Sequence, residues 1–295
     1  MAVSVLDFHG IPALALSAPD GARAVVTLHG GHVVSWRTAG SEQEQLYLSP
    51  AAQFGAGKSI RGGVPVIFPQ FSDRGRGVRH GFARNRDWQH VPHEGRGDDD
   101  ASAKLVLGLV DDLDSRALWP HGFALELSIG VQHHTLTMQL ACTNTGLAPW
   151  EFGAALHTYL AVPDIALARL HGLTGVDYED CVVGAHRRQD ALPVQITGEV
   201  DRVYASVWRG LQLADAELAG ARTRTITQKG FADVVVWNPG PEKCAALADM
   251  PLDGYRHMLC VEAAQVCKPI TLEPGATWSG VQNLSVREHA VDQEG

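Results

Sequence analysis

Residues 124–132, ALELSIGVQ, and 135–144, TLTMQLACTN, are separated only by His133 and His134. In both, apolar side chains fall on every second position, the period of a strand with one covered face. The same rhythm recurs in ARAVVTLHG (22–30), HVVSWRT (32–38), AKLVLGLV (103–110), ADVVVWNP (232–239) and HMLCVEAA (257–264), with clusters of Gly, Pro, Asn and Asp between them. No stretch with a helical period is long enough to supply the crossovers of a parallel sheet, so the sequence predicts an all-β fold of antiparallel strands. ARLHGLTGVDYEDC (168–181) and VYASVWRGLQLADAELAG (203–220) have room for a turn of helix. The polar run HEGRGDDDAS (93–102) reads as an exposed hairpin connection. Similar strands continue on both sides of it, which predicts one domain over residues 1–295 with a frayed tail at 287–295.

The composition, 45% hydrophobic and 19% charged over 295 residues, suits a globular chain with a sizeable core. The opening MAVSVLDFHGIPALALSAPD lacks a basic segment followed by a long apolar one, and no apolar run approaches the roughly 20 residues that span a bilayer. No export and no membrane partner are expected. Five cysteines without a CxxC pair make a poor disulfide framework and fit a reducing cytoplasm. A net charge of −9 argues against nucleic acid as the main partner. Within that acidic chain, Lys58 to Arg86 holds seven basic residues against the single acid Asp73. Such a run is either a solvated face balanced by acids elsewhere or a pocket for a small anion such as a phosphate ester.

Several motifs can be weighed by what their chemistry requires. GAGKS (55–59) has Ala52 where a phosphate-binding loop needs glycine, and Gly62, Gly63 and Pro65 follow where that loop needs a helix. His29 and His32, and likewise His133 and His134, have no third ligand at metal-site spacing, so no metal is predicted. SIRGGVPVIFPQF (59–71) is more informative: Gly62 and Gly63 permit a close backbone approach, and Pro65 and Pro69 stiffen the loop that carries Arg61. RHGFARNRDW (79–88) sets His80 and Arg84 around Gly81. Arginine offers a planar fork of donors for phosphate or vicinal hydroxyls; the lesser alternative is that both arginines pair with carboxylates at the edge of the core. His157, in GAALHTYLAV (153–162), shares a strand face with Ala155 and Tyr159. A lone strand histidine is commonly structural, so it needs a partner; the best candidate is Glu262, a carboxylate on the apolar strand HMLCVEAAQ that burial would oblige to pair. Asp201, in VDRVY, reads by itself as an ordinary residue at a strand start. Trp36, Trp88 and Trp237 look like core.

Taken in order, SIRGG, RHGFARNRDW, ALHTYL, VDRVY, VVVWNP and CVEAA resemble the aldose 1-epimerase superfamily, and RHGFAR and DVVVWNP resemble its hexose-6-phosphate mutarotase branch. The resemblance runs from about residue 20 to residue 285. It implies a galactose-mutarotase-like β-supersandwich with one sugar cleft, acting on a hexose 6-phosphate as a monomer. It further implies that His157 and Glu262 are the catalytic pair, that Arg61, Arg84 and Asp201 hold the substrate, and that His80 and Arg79 lie near the sugar, with Lys58 or Arg79 as helpers at the phosphate. Interconversion of anomers needs one base and one acid, so no cofactor is expected. A protonated His157 would need acidic neighbours, for which Glu262 and Asp201 are available. An epimerase for unphosphorylated aldoses and a non-catalytic sugar-binding module remain as alternatives. A polysaccharide-acting sandwich would be expected to carry more exposed aromatic residues.

Overall fold

The structure is a computed structural model that describes residues 2–92, 102–215 and 222–288. The connection expected at 93–102 and the frayed end expected at 287–295 therefore lie outside the described residues, apart from Ser102 and the strand residues Arg287 and Glu288. Every strand-to-strand ladder is antiparallel, as the alternating runs predict. Residues 124–144 form the longest regular pairing: Phe123–Gln132 lies against Thr135–Asn144, with Gln132 opposite Thr135.

Two eight-stranded sheets face each other. One, the backing sheet, contains in order Ala168–His171, Leu211–Asp215, Arg222–Lys229, Thr277–Glu288, Thr135–Asn144, Phe123–Gln132, Ala103–Val110 and Gln89–His90. The other, the site sheet, runs Ala185–Arg188, Asp177–Asp180, Val200–Tyr204, Asp233–Asn238, Met258–Leu272, Trp150–Leu156, Val66–Ile67, and Tyr159–Ala161 also pairs with its long strand Met258–Leu272. A smaller four-stranded sheet is made by Ala2–Phe8, Ile11–Ser17, Arg23–Thr27 and His32–Arg37.

Alternation decides which residues fill the space between the sheets. Leu127, Ile129, Leu136, Met138, Leu140 and Leu284 of the backing sheet share one apolar cluster with Ala154, Leu156, Val234, Val236, Val261 and Ala263 of the site sheet. Each such side chain removed from water contributes about 1.5–3 kcal/mol for the larger aliphatics. Alternate residues on the same site-sheet strands, Ala155, Val235 and Ala264, form a separate cluster with Phe71.

Among the described residues helix is confined to short segments. Leu113–Leu118 begins at a reciprocal cap, in which Asp112 accepts from the Ser115 amide at 2.6 Å and the Ser115 hydroxyl accepts from the Asp112 amide at 2.8 Å. The only other α-helix among the described residues is Gly240–Ala245. The helical turns expected at 168–181 and 203–220 do not form in the described part of those stretches: Ala168–His171 and Leu211–Asp215 pair with each other instead, and Asp177–Asp180 joins Val200–Tyr204. Local propensity there was weak, and the unpaired sheet edge decided the outcome. Among the described residues no helix is long and apolar enough to cross a membrane.

Candidate active site

The site lies on the outer face of the site sheet, and ladder register builds its floor. Glu179, Val203, Val235 and Glu262 are directly opposed on four consecutive strands. Leu156 opposes Ala263 and Tyr159 opposes Cys260, so the intervening His157 falls opposite Glu262 and continues that row. Two residues along, on the same face, Asp201, Trp237, Cys260 and Tyr159 form a second row. These rows are about 7 Å apart, two strand residues. His157, Glu262, Asp201, Arg61, Arg79, His80 and Arg84 all line the resulting cleft of about 720 Å³. Lys58 does not line it, although its carbonyl receives a hydrogen bond from His29 at 2.8 Å.

Glycines fix the loops that bring the cationic residues in. Gly63 has a φ of 59°, and a Cβ there would sit 2.3 Å from the Val33 carbonyl oxygen. Gly81 has a φ of 68°, and a Cβ would lie 1.9 Å from the Phe68 carbonyl oxygen. Only glycine fits either position, so Arg61 and the His80 to Arg84 turn are held against the sheet. The loop from Ser72 to His80 closes on itself: the His80 amide donates to the Ser72 carbonyl at 3.0 Å, and the Ser72 amide donates to His80 Nδ1 at 3.2 Å. An amide can only donate, so neutral His80 carries its proton on Nε2. Its ring packs 5.7 Å from the ring of His157, which in turn stacks on Tyr159 at 4.9 Å.

The basic residues prove unequal. Arg61 donates from Nε to both carboxylate oxygens of Asp249 at 3.2 Å and from Nη1 to the Tyr159 hydroxyl at 3.1 Å. Burial opposes its charge, but Tyr159 and Asp249 outweigh burial and hold its pKa above the usual value. Arg79 pairs with Asp73 at 2.9 Å, and Arg74 with Glu179 at 2.6 Å. Arg84 has no carboxylate partner among the described residues; one Nη donates to the Arg79 carbonyl at 3.3 Å, and its buried Nε has no partner. Burial, followed by repulsion from Arg61 and Arg79, lowers its pKa. Among the arginines of this segment that line the cleft, the capacity to bind an anion is therefore concentrated on Arg84.

His157 Nδ1 and Glu262 Oε1 are 3.4 Å apart, with side chains 10% and 1% exposed. His157 Nδ1 and both carboxylate oxygens of Glu262 are buried without a hydrogen-bond partner among the described residues. Buried polar atoms in that condition ask for a ligand. Burial drives the His157 pKa well below its ordinary value, and His80, Arg84 and Arg61 push it further down. The expectation that Glu262 and Asp201 would keep His157 charged is thus corrected: positive neighbours and burial dominate. Glu262 is shifted well upward by burial and by Asp201, partly opposed by Arg84. His80 is likewise lowered to about 3, chiefly by burial and then by Arg84. Asp201 is raised by burial.

Cys260 Sγ joins His157 and Glu262 in a group whose ligand atoms lie within 4.8 Å of one another. A nitrogen, a sulfur and an oxygen of this kind are zinc ligands in other settings. Here Arg84 and Arg61 both act on His157, Arg61 on the thiol and Arg84 on the carboxyl, and burial raises the thiol pKa well above its ordinary value, so we assign the cluster no ion. Sequence patterning had Trp237 as core, but it is half-buried on the cleft floor beside His157, at 6.1 Å between rings. Tyr159 and Asp249, which hold Arg61, were not anticipated as site residues. Only the position of Tyr159 two residues after His157 signalled its face.

The fold and cleft are those of a sandwich built around one sheet face, and the sequence matches the aldose 1-epimerase family model over residues 12–285. The chain belongs to the aldose 1-epimerase family, a family of epimerases. A Cenchrus ciliaris protein provisionally named glucose-6-phosphate 1-epimerase is 36% identical over 94% of this chain and 85% of its own length. A crystal structure of a protein from Salmonella typhimurium, provisionally described as a mutarotase, superposes with a TM-score of 0.87 at 30% identity, covering 97% of this chain and 94% of that one. A galactose mutarotase-like protein from Clostridium acetobutylicum shares the fold at 15% identity, with a TM-score of 0.75 and coverage of 98% and 99%. The predicted galactose-mutarotase-like β-supersandwich is the fold observed.

Proposed function

We propose that this chain interconverts the α and β anomers of glucose 6-phosphate, or a closely related hexose 6-phosphate, by ring opening and closure. The observation that carries the proposal is the directly opposed pair His157 and Glu262, whose buried polar atoms lack partners, on the floor of a cleft walled by the carboxylate-free Arg84. The names given to relatives point the same way. The 6-phosphate lies against Arg84, with Arg61 adding charge from behind Asp249, and Asp201 and His80 Nε2 meet sugar hydroxyls. Burial is the main cause of the lowered His157 pKa, and a phosphate dianion offsets the Arg84 and Arg61 charges that add to it, which favours the pair with its proton on His157 and Glu262 as carboxylate. Glu262 then takes the O1 proton as the C1–O5 bond breaks and C1=O1 forms, while His157 protonates O5. After rotation about C1–C2, O5 returns its proton to His157 as it attacks the other face of C1, and Glu262 returns its proton to O1. No other reactant enters the balance.

The core shared by both sheets supports one domain over the chain, and five unpaired thiols, three of them buried, support a cytoplasmic enzyme. A cleft complete within one chain supports a monomer. The test is anomer exchange followed by magnetisation-transfer NMR on glucose 6-phosphate and glucose in parallel. Acceleration confined largely to the phosphate is expected. Acceleration of glucose alone would move the assignment to unphosphorylated aldoses, and acceleration of neither would leave a sugar-binding module.

A further inference from the structure

We infer that Gln282, on the backing sheet, is a positioning residue that sets His157 against Glu262 by completing a rung that the site sheet gives up. The inference rests on the proposed pair. Opposed residues in an antiparallel ladder exchange two amide-to-carbonyl bonds at every second rung. At Thr158 and Val261 only one is made: the Val261 amide donates to the Thr158 carbonyl at 3.1 Å. The Thr158 amide turns back to the Leu156 carbonyl at 2.9 Å. That bond closes a three-residue turn with His157 at its centre, which is why the strand is interrupted between Leu156 and Tyr159.

The turn leaves the Val261 carbonyl without its ladder donor. Gln282 supplies one, its Nε2 donating to that carbonyl at 3.1 Å, while its Oε1 accepts from the Thr158 hydroxyl at 2.6 Å. Gln282 and Thr158 are both fully buried, and Gln282 stands between Met138 on one neighbouring strand of the backing sheet and Gln228 on the other. One amide thus reaches across the sandwich and grips both strands, at the residue after His157 and the residue before Glu262. Without it, the Thr158 amide has a ready alternative in the vacated Val261 carbonyl. Taking it would straighten the turn and carry the His157 ring away from its place opposite Glu262.

The test uses the full chain and glucose 6-phosphate, with kcat and KM from anomer exchange and folding from circular dichroism and thermal melting. Gln282→Leu is expected to lower kcat by up to about 10²-fold, the scale of a misplaced catalytic group, with KM within about twofold. Thr158→Val, which keeps volume and removes the hydroxyl, is expected to lower kcat several-fold at unchanged KM, and the double variant to fall no further than Gln282→Leu. If Gln282→Leu does not fold, Thr158→Val decides the matter. A folded Gln282→Leu or Thr158→Val protein with wild-type kcat overturns the inference, as does a loss expressed only in melting temperature. Glu262→Gln is measured alongside: if it retains full exchange the pair itself is wrong, whereas its loss with undiminished kcat in Gln282→Leu sinks the positioning role alone.

Discussion

At residues 157–158 and 261–262 the two faces of one sheet are treated in opposite ways. On the cleft face His157, Glu262 and Arg84 keep buried polar atoms without partners, held in by a neighbourhood that pushes the histidine down and the carboxyl up. On the inner face, one residue along each strand, Thr158 and Val261 are tied to Gln282. Buried groups without partners are costly, and they persist only when their surroundings leave them no alternative position. The completed face makes the incomplete one tolerable.

If that contrast is right, front-face and back-face substitutions should separate activity from stability. Glu262→Gln and His157→Asn are each expected to reduce kcat for glucose 6-phosphate exchange by about 10²–10⁴-fold, and calorimetry should find the melting temperature unchanged or raised. A loss of both together would break the comparison. His32 provides a contrasting buried histidine, one whose Nε2 is bonded to the Gly62 carbonyl at 2.7 Å. Burial lowers its pKa to about 4, against the Gly62 bond. Above pH 6.5 it is neutral folded or unfolded; as pH falls from 6.5 toward 4 only the unfolded chain takes up the proton, and stability drops by roughly 3 kcal/mol. Urea titrations across that window should show a flatter dependence for His32→Gln than for the wild type.

Smaller effects sharpen the division within the cleft. Arg84→Gln should raise KM for glucose 6-phosphate by about 10- to 100-fold, as befits loss of a charged hydrogen bond, and leave glucose turnover nearly unchanged. Equal weakening for both sugars would remove Arg84 from the phosphate. Cys260→Ala should cost about 1 kcal/mol in denaturant unfolding through the small void it leaves, with kcat within about twofold. A larger fall in kcat would give the thiol a part in the chemistry.

Alternation made the strands legible, and with it the separation of Ala155 and His157 from Leu156. His157, Glu262, Arg61, Arg84, Asp201 and His80 converge on one cleft because their loops and strands are held by glycine turns and register already marked in the sequence. What could not be read were pairings between distant segments. Asp249 lies in a turn without periodic pattern, yet it neutralises Arg61, which made the arginine look freer than it is. Gln282 is one polar residue in the strand Thr277–Glu288, indistinguishable from a solvent-facing one until the facing sheet is known. The charge state of His157 was misjudged for the same reason: Arg61, Arg84 and His80 reach it through space, from two separate loops.

Those distances along the chain also bear on how the molecule is made. Arg61 and its carboxylate partner are 188 residues apart, and Thr158 and Gln282 are 124 apart. Contacts so remote in sequence must close large loops before they are rewarded, which slows folding relative to proteins of local contacts. During synthesis the arginine-bearing loops leave the ribosome long before Asp249, Glu262 and Gln282 have been added. A nascent chain stalled between Arg84 and Asp249 would thus display Arg61 without its carboxylate partner, a state for chaperones to shield, and without Glu262 it would have no turnover.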